Sequence, residues 1–440
     1  MTGHLDLVMV MALILCLIGG FPVAWTLGGV ATIFGLMGFG FDFFLFLPLR
    51  LWGRMTNFTL VAVPLFVFMG VVLERSGLAE DLLKTMGDLF GRIRGGLAIS
   101  IVLVGAVLGA STGIVGATVV TMGVISLPVM LRSGYSAEMA TGVISASGTL
   151  GQIIPPSIIL VLLGDIMGVS VGELFAGALL PGLVLVGCYI IYIATYGLMR
   201  PASVPSAATA VGGREVQGKN ALKQIAGVLL PPAFLIVAVL GSILFGIASP
   251  TEAAGVGALG AVVLALAKRK LSWQVIKESM ITTTRLASMV FIILLAATAF
   301  GLVFRGLGGD EMVKTFFQGM GGGKWGVLVV VMIVLFLLGF VLDVIEITFI
   351  VIPLLTPVFE DMGFDMLWMA VLVAVNFQTS FLTPPMGFSL FYLKGVSPPE
   401  VSTGQIYRGV IPYVGLQMVG LALVIFIPSA VTWLPAVVFK

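Results

Sequence analysis

Long apolar runs separated by short polar loops fill most of the chain. Runs near 5–20, 22–40, 58–74, 172–199, 225–247, 251–267, 285–304 and 409–435 each predict one helix across a bilayer. A hydrocarbon core of roughly 30 Å needs about 20 apolar residues at helical rise. Lipid offers backbone groups no partner, so such runs must be helical. Four segments break this rhythm. Residues 97–131 and 325–359 are too long for one crossing and have Gly-rich or polar centres. Residues 137–168 and 366–393 each carry a Pro-Pro pair in the middle. The fold class this predicts is an all-α polytopic membrane protein.

Composition agrees. Of 440 residues, 59% are hydrophobic and 10% charged, against about 25% charged in soluble domains. The net charge of +2 says little about partners; there is no basic block for nucleic acid, and the apolar runs make the lipid bilayer the surrounding partner. Cys16 and Cys188 lie far apart within apolar runs and read as small buried hydrophobes. The stretch from Leu5 has no cationic region before it and no small-residue cleavage site after it, so it reads as a retained first span.

Sorting the loops by charge sets the topology. If 75–96, 200–224, 268–285 and 394–408 face one side, that side with Arg132 holds sixteen of the 22 Lys and Arg residues. The other six are Arg50, Arg54, Arg305, Lys314, Lys324 and Lys440. The positive-inside rule makes the richer side cytoplasmic and puts both termini outside. Segments 97–131 and 325–359 must then each return to the side they entered from, as helical hairpins. Residues 272–285 predict an amphipathic helix on the cytoplasmic face, and 201–220 a flexible loop.

The two unusual halves match. Pro128, Gly134, Pro155 and Pro156 recur as Pro357, Gly363, Pro384 and Pro385, each 229 residues later, and Val129 recurs as Val358. Five crossings separate the hairpins, so the second unit is inverted. Interrupted apolar segments at corresponding places of inverted halves are the sequence pointer to a transporter's binding site. A proline pair removes two donors and clashes with the preceding turn, which frees carbonyls. Freed carbonyls suit a dehydrated sodium ion, and freed amides at helix N-termini suit an anion.

Polar side chains gather at these breaks. Ser147, Thr149 and Gln152 flank the first; Asn376, Gln378 and Thr379 flank the second, and all six are candidate substrate contacts. Gly, Ser and Thr also let membrane helices pack closely, which is the alternative for any one of them. Asp343 and Glu346 at the second hairpin tip join the substrate candidates, because ionisable groups at membrane depth are costly. Either could bind sodium, carry a proton, touch a substrate hydroxyl or hydrogen-bond the tip. The single histidine, His4, lies at the edge of the chain, and no metal-ligand cluster or nucleophile–base arrangement appears. An intramembrane enzyme is therefore disfavoured, and neither an organic cofactor nor a transition metal is expected. The absence of a Gly-x-x-x-x-Gly-Lys-Ser/Thr loop argues against ATP as the power source.

The tip 109–113, the break 151–156, Gly339 to Asp343, Thr383-Pro384-Pro385 and the loop 248–254 (Ala-Ser-Pro-Thr-Glu-Ala-Ala) resemble the signature regions of TRAP transporter large (M, DctM-like) subunits. The resemblance runs over essentially the whole chain. It implies an ion-transporter-like elevator that carries sodium ions and a small organic acid in the bacterial inner membrane. It further implies a small four-helix membrane (Q) subunit, here expected as a separate chain, and a periplasmic substrate-binding protein. A stand-alone sodium–carboxylate or anion carrier is the alternative within transport. The implied division is scaffold 1–96, first transport unit 97–171, central scaffold 172–324, second transport unit 325–394 and a scaffold helix in 395–440. The first sodium site it implies uses Gly109 and Thr112, with Ser111 as a further candidate, and Gly151, Ile154 and Pro155 from the break. The second uses Gly339, Ser380, Thr383 and Met386. Gly109 stands where many relatives have serine, and Ser380 where glycine is common.

Overall fold

The computed structural model describes residues 5–439 except 91–92, 114, 202, 206–218 and 321, and leaves aside the side chains of 43, 79, 84, 87–90, 111–112, 219–226 and 228. Most of the expected 201–220 loop, and His4, lie outside the described residues. The described chain is helical throughout, with no strand. Its first group comprises α1 (Leu5–Ile18), α2 (Val23–Phe39), α3 (Phe43–Met55), α4 (Ala62–Arg75) and α5 (Leu78–Phe90). The first unusual unit is α6 (Gly96–Thr112), α7 (Val115–Arg132), α8 (Ala137–Thr149) and α9 (Ile158–Met167). Then come α10 (Val171–Met199), α11 (Lys219–Leu244), α12 (Pro250–Ala267), α13 (Trp273–Gly306) and α14 (Gly309–Gln318). The second unit is α15 (Gly323–Leu338), α16 (Val344–Ile350), α17 (Ile352–Asp361), α18 (Met366–Leu382) and α19 (Phe388–Val396), followed by α20 (Thr403–Phe426) and α21 (Ser429–Val438).

Seven stretches among the described residues are long and apolar enough to cross a membrane, or eight if the bent pair α14–α15 counts as one. Six coincide with expected crossings; the seventh is α7. Three boundaries differ from expectation. The amphipathic stretch 272–285 is the first part of the continuous 34-residue α13, about 51 Å long. The last apolar run is two helices, with Pro428 between them as the cap of α21. The short helices α3, α5 and α14 were not foreseen; each is too short to cross and connects longer ones.

Both Pro-Pro pairs break their helices. Between α8 and α9 lie a 3-10 turn, Leu150–Gln152, and an irregular stretch through Ser157. Between α18 and α19 the irregular stretch runs from Thr383 to Gly387. Pro155–Pro156 and Pro384–Pro385 are both cis. The packing carries the same symmetry. The first arm of each helix pair, α6 or α15, packs on its own unit's α8 or α18. The second arms also reach the other unit: α7 packs on α19 as well as on its own α8, while α16 and α17 pack on α9.

A second set, α2, α4, α11, α12 and α13, packs chiefly within itself and meets the paired units through α4–α6, α4–α9, α11–α6 and α13–α16. Helices α10 and α20 lie instead against the paired units. α20 runs along α8 and α18, and Trp368 Nε1 donates to Val424 O at 2.7 Å. Tyr189 and Tyr192 of α10 meet Tyr413 of α20 edge-on, each at 5.2 Å between ring centroids. The expected division groups both helices with the scaffold. Small residues permit the packing of α20 on α8: a Cβ at Gly142 would run into the backbone oxygen of Gly409, and one at Gly409 into that of Glu138. Gly409→Ala should lower the melting temperature in detergent, since overpacking against backbone costs about 1–3 kcal/mol. An unchanged melting curve would mean that α8 and α20 separate at no cost.

Candidate functional site

The first centre forms where the end of α6 meets the first break. A Cβ at Gly109 would lie 2.6 Å from Gly151 N, and one at Gly151 would lie 2.6 Å from Gly109 O. The two backbones are in direct contact, which accounts for glycine at 109. Gly113 ends α6 in the left-handed region (φ 61°), and its N–H donates to Gly109 O at 2.8 Å. A side chain at Gly113 would meet the nitrogen of Ile158, the first residue of α9, at 3.2 Å. The hairpin end therefore sits over the N-terminus of the second half-helix. Residues 150–157 are buried, Ile154 and Pro155 among them. The carbonyl of Leu150 accepts from the N–H groups of Ile153 and Ile154, and that of Gln152 from Ser157 Oγ at 3.0 Å. Ser111 and Thr112 fall on the same tip, but their side chains lie outside the described residues.

The second centre repeats the arrangement. Ser380 is the 229-residue counterpart of Gly151, and it faces Gly339 so closely that a Cβ there would overlap Ser380 Oγ. Serine in place of glycine is thus matched by glycine on the opposing helix. Thr383 closes α18: its N–H donates to Ser380 O at 3.1 Å and its Oγ1 to Thr379 O at 2.7 Å. Its carbonyl accepts from Gly387 N–H at 3.0 Å. Pro385 and Met386 are exposed, and the Pro385 carbonyl accepts from Tyr407 Oη of α20 at 2.8 Å. The first break is enclosed and the second is open on one side.

A buried polar node joins the two centres. Gln378 Nε2 donates to Thr149 Oγ1 at 3.4 Å, and these two residues are 229 positions apart. A pseudo-twofold axis must pass close to a contact between equivalent positions. Gln417 of α20 donates to the same hydroxyl at 3.2 Å, and Thr149 Oγ1 donates to Ala146 O at 2.8 Å. Gln417 went unnoticed in the sequence. Its signal was available, because it is the one amide within the apolar run 409–435.

The remaining substrate candidates divide. Asn376 donates to Met332 O at 2.9 Å and Thr379 to Val375 O at 2.9 Å, so both hydrogen-bond backbone. Asp343 caps α16, and Glu346 Oε2 accepts from the Asp343 N–H at 2.9 Å. This is a capping-box contact. Ser147 and Gln152 are buried, and Ser147 Oγ and both amide atoms of Gln152 have no protein partner; the same holds for Ser380 Oγ. Buried polar atoms are nearly always hydrogen-bonded, and unpartnered ones at both breaks make these the candidate site. The donor set is hydroxyls, amides and backbone carbonyls, which suits a hard cation. No group of three His, Cys, Asp or Glu residues is assembled among the described residues.

Polar ties also cross from the paired units to α3, α4, α5 and α14: Ser100 of α6 donates to Met86 O of α5 at 2.8 Å, and Asp361 of α17 pairs with Lys314 of α14 at 2.6 Å. Thr121 of α7 donates to Glu74 of α4 at 2.7 Å. Asp165 of α9 takes Arg54 of α3 at 3.1 Å, and Asn57 as well.

The sequence profile of the tripartite ATP-independent periplasmic transporter, DctM component, matches residues 10–430. The C4-dicarboxylate TRAP transporter large permease protein DctM of Pseudomonas aeruginosa is 31% identical over 390 residues, 88% of this chain and 89% of that one. The ectoine TRAP transporter large permease protein TeaC of Halomonas elongata is 28% identical over 439 residues, 98% of this chain and 99% of that one. In fold, the chain is similar to the crystal structure of the Alcanivorax borkumensis YdaH transporter, with a TM-score of 0.64, 14% identity, and 97% and 98% of the two chains covered.

Proposed function

This chain belongs to the DctM component family of tripartite ATP-independent periplasmic transporters, and on that premise we propose that it takes up a small carboxylate coupled to sodium. The family's large permease works with a small membrane subunit and a periplasmic binding protein. The observation that carries the reading is the contact of Thr149 with its repeat counterpart Gln378. It relates two tip-and-break centres about one axis, and each centre brings backbone oxygens and hydroxyls together. Sodium ions are the proposed cargo at Gly109–Gly151–Ile154–Pro155 and at Gly339–Ser380–Thr383–Met386. The N-termini of α9 and α19 would favour the substrate carboxylate.

The proposed moving unit is α6–α10 with α15–α21, and the frame is α1–α5 with α11–α14. This assigns α10 and α20 by their packing on the breaks. Movement as an elevator would break the Thr121–Glu74, Asp165–Arg54, Ser100–Met86 and Asp361–Lys314 ties, which cross the boundary. A potential of 100 mV contributes about 2.3 kcal/mol per charge, so two sodium ions with a monocarboxylate move one net charge and the potential alone would support roughly fiftyfold accumulation.

The test is uptake into proteoliposomes holding this chain and its small partner, with the binding protein outside. Candidate carboxylates are scanned with and without an inward sodium gradient. Uptake is expected to need both sodium and the binding protein. Thr383→Ala should lower uptake at subsaturating sodium about tenfold, the equivalent of 1.4 kcal/mol. Uptake without a binding protein would favour a stand-alone carrier, and sodium-independent uptake would remove the coupling.

A further inference from the structure

A cavity of about 410 Å³ lies on the boundary between the frame and the moving unit, apart from both breaks. One wall is α3, with Arg50 and Arg54 one turn apart. A second is α13, from Leu294 to Arg305, so the cavity follows that helix for about 16 Å. The wall on the moving unit's side is Ile166 of α9 together with Phe349 and Pro353 of α16 and α17. Three of the six Lys and Arg residues on the cation-poor side of the membrane therefore line one cavity, and no acidic residue lines it.

Cations are scarce on that side by the rule that sets topology, so three in one cavity ask for a reason. Pairing accounts for only one. Arg54 is held by Asp165, whose carboxylate also engages Asn57. Arg50 and Arg305 have no carboxylate partner among the described residues. The acids nearest Arg305 in sequence, Asp310 and Glu311, act on Lys314, whose pKa is raised by its hydrogen bond to Asp361 at 2.6 Å and by these neighbours. Clefts lined by one sign of charge concentrate the opposite ion, by about ten- to a thousandfold.

We propose that this cavity is an oxyanion-receiving vestibule, in which Arg50 and Arg305 take a carboxylate or phosphate group and Arg54 is poised to join them when Asp165 leaves. The proposal rests on the transport reading above. There its occupant is the carboxylate of the incoming solute, held between frame and moving unit before it reaches the breaks. The phosphate of an anionic lipid headgroup carries the same chemistry.

The test places a reporter thiol in the cavity wall, Thr298→Cys with Cys16→Ser and Cys188→Ser, in phosphatidylcholine nanodiscs with the small subunit. Mixed-disulfide formation with an anionic (sulfonatoethyl) and a cationic (trimethylammonium-ethyl) methanethiosulfonate, each releasing methanesulfinate, is timed and normalised to free cysteine. The anionic reagent should be favoured about tenfold or more. Arg50→Gln with Arg305→Gln should bring the ratio close to one, Arg→Lys at both should preserve it, and Asp165→Asn should raise it. Protection by succinate identifies a solute carboxylate; protection only when phosphatidylglycerol is included identifies the headgroup. No reaction with either reagent, a ratio near one in the parent, a ratio insensitive to Arg→Gln, or protection by neither anion overturns the vestibule. Uptake assayed on the same preparations separates the two readings, because a flat ratio with intact binding-protein-dependent uptake sinks the vestibule alone.

Discussion

Gly109→Ala and Gly151→Ala should each abolish uptake while leaving a membrane-inserted protein. Two effects of opposite sign compete at Gly109. Alanine is the better helix former by about 1 kcal/mol, and Gly109 lies inside α6. Against that, the added methyl would stand 2.6 Å from Gly151 N and 2.7 Å from Gly151 Cα. These are backbone atoms, which cannot rotate aside as a side chain would, so the tip or the break must shift. Overpacking of this kind costs about 1–3 kcal/mol, enough to cancel the helix gain. The shift would fall on the oxygens proposed to hold sodium, so transport should suffer more than stability. Uptake and melting temperature measured together decide the matter. Normal uptake by both variants would show that the contact has no part in transport. A serine at 109 would need the tip and break further apart than they are here.

Thr149→Val should destabilise the fold more than any other single change at the polar node. Its hydroxyl serves two buried amides, Gln378 and Gln417, whose side-chain oxygens already lack protein partners. Valine keeps the shape and removes the acceptor, which orphans two donors at once. An orphaned buried donor costs about 1–3 kcal/mol, though hydrogen bonds between membrane helices average nearer 0.6 kcal/mol. A loss of about 1–4 kcal/mol therefore follows. Removing both amides as well should return most of it, because an all-apolar replacement leaves nothing unpaired. Denaturation of Thr149→Val beside Thr149→Val/Gln378→Leu/Gln417→Leu tests this. A triple variant less stable than the single one would mean that the amides support the fold in some other way.

The sequence alone determined the elements and their symmetry. Membrane helices declare themselves by length and apolarity, because lipid leaves the backbone no other choice. The breaks at 155–156 and 384–385 were equally plain, since proline removes a donor wherever it stands. The 229-residue spacing paired them without reference to any contact. Short connectors such as α3 and α14 escaped because they are too brief to show a crossing signal. The split at Pro428 escaped because the apolar run continues through it.

Tertiary structure decided which polar groups work together. Asn376, Gln378 and Thr379 look alike on paper, yet Asn376 and Thr379 hydrogen-bond backbone while Gln378 meets its symmetry mate. Partners come from helices far away in sequence, and spacing along one helix does not specify them. For the same reason the structure, and not the apolar pattern, set α10 and α20 against the paired units. It also brought Arg50, Arg54 and Arg305, some 250 residues apart in sequence, around one cavity. Hydropathy tells a helix that it must lie in lipid; only close packing of small residues such as Gly142 against Gly409 tells it which neighbour to lie against.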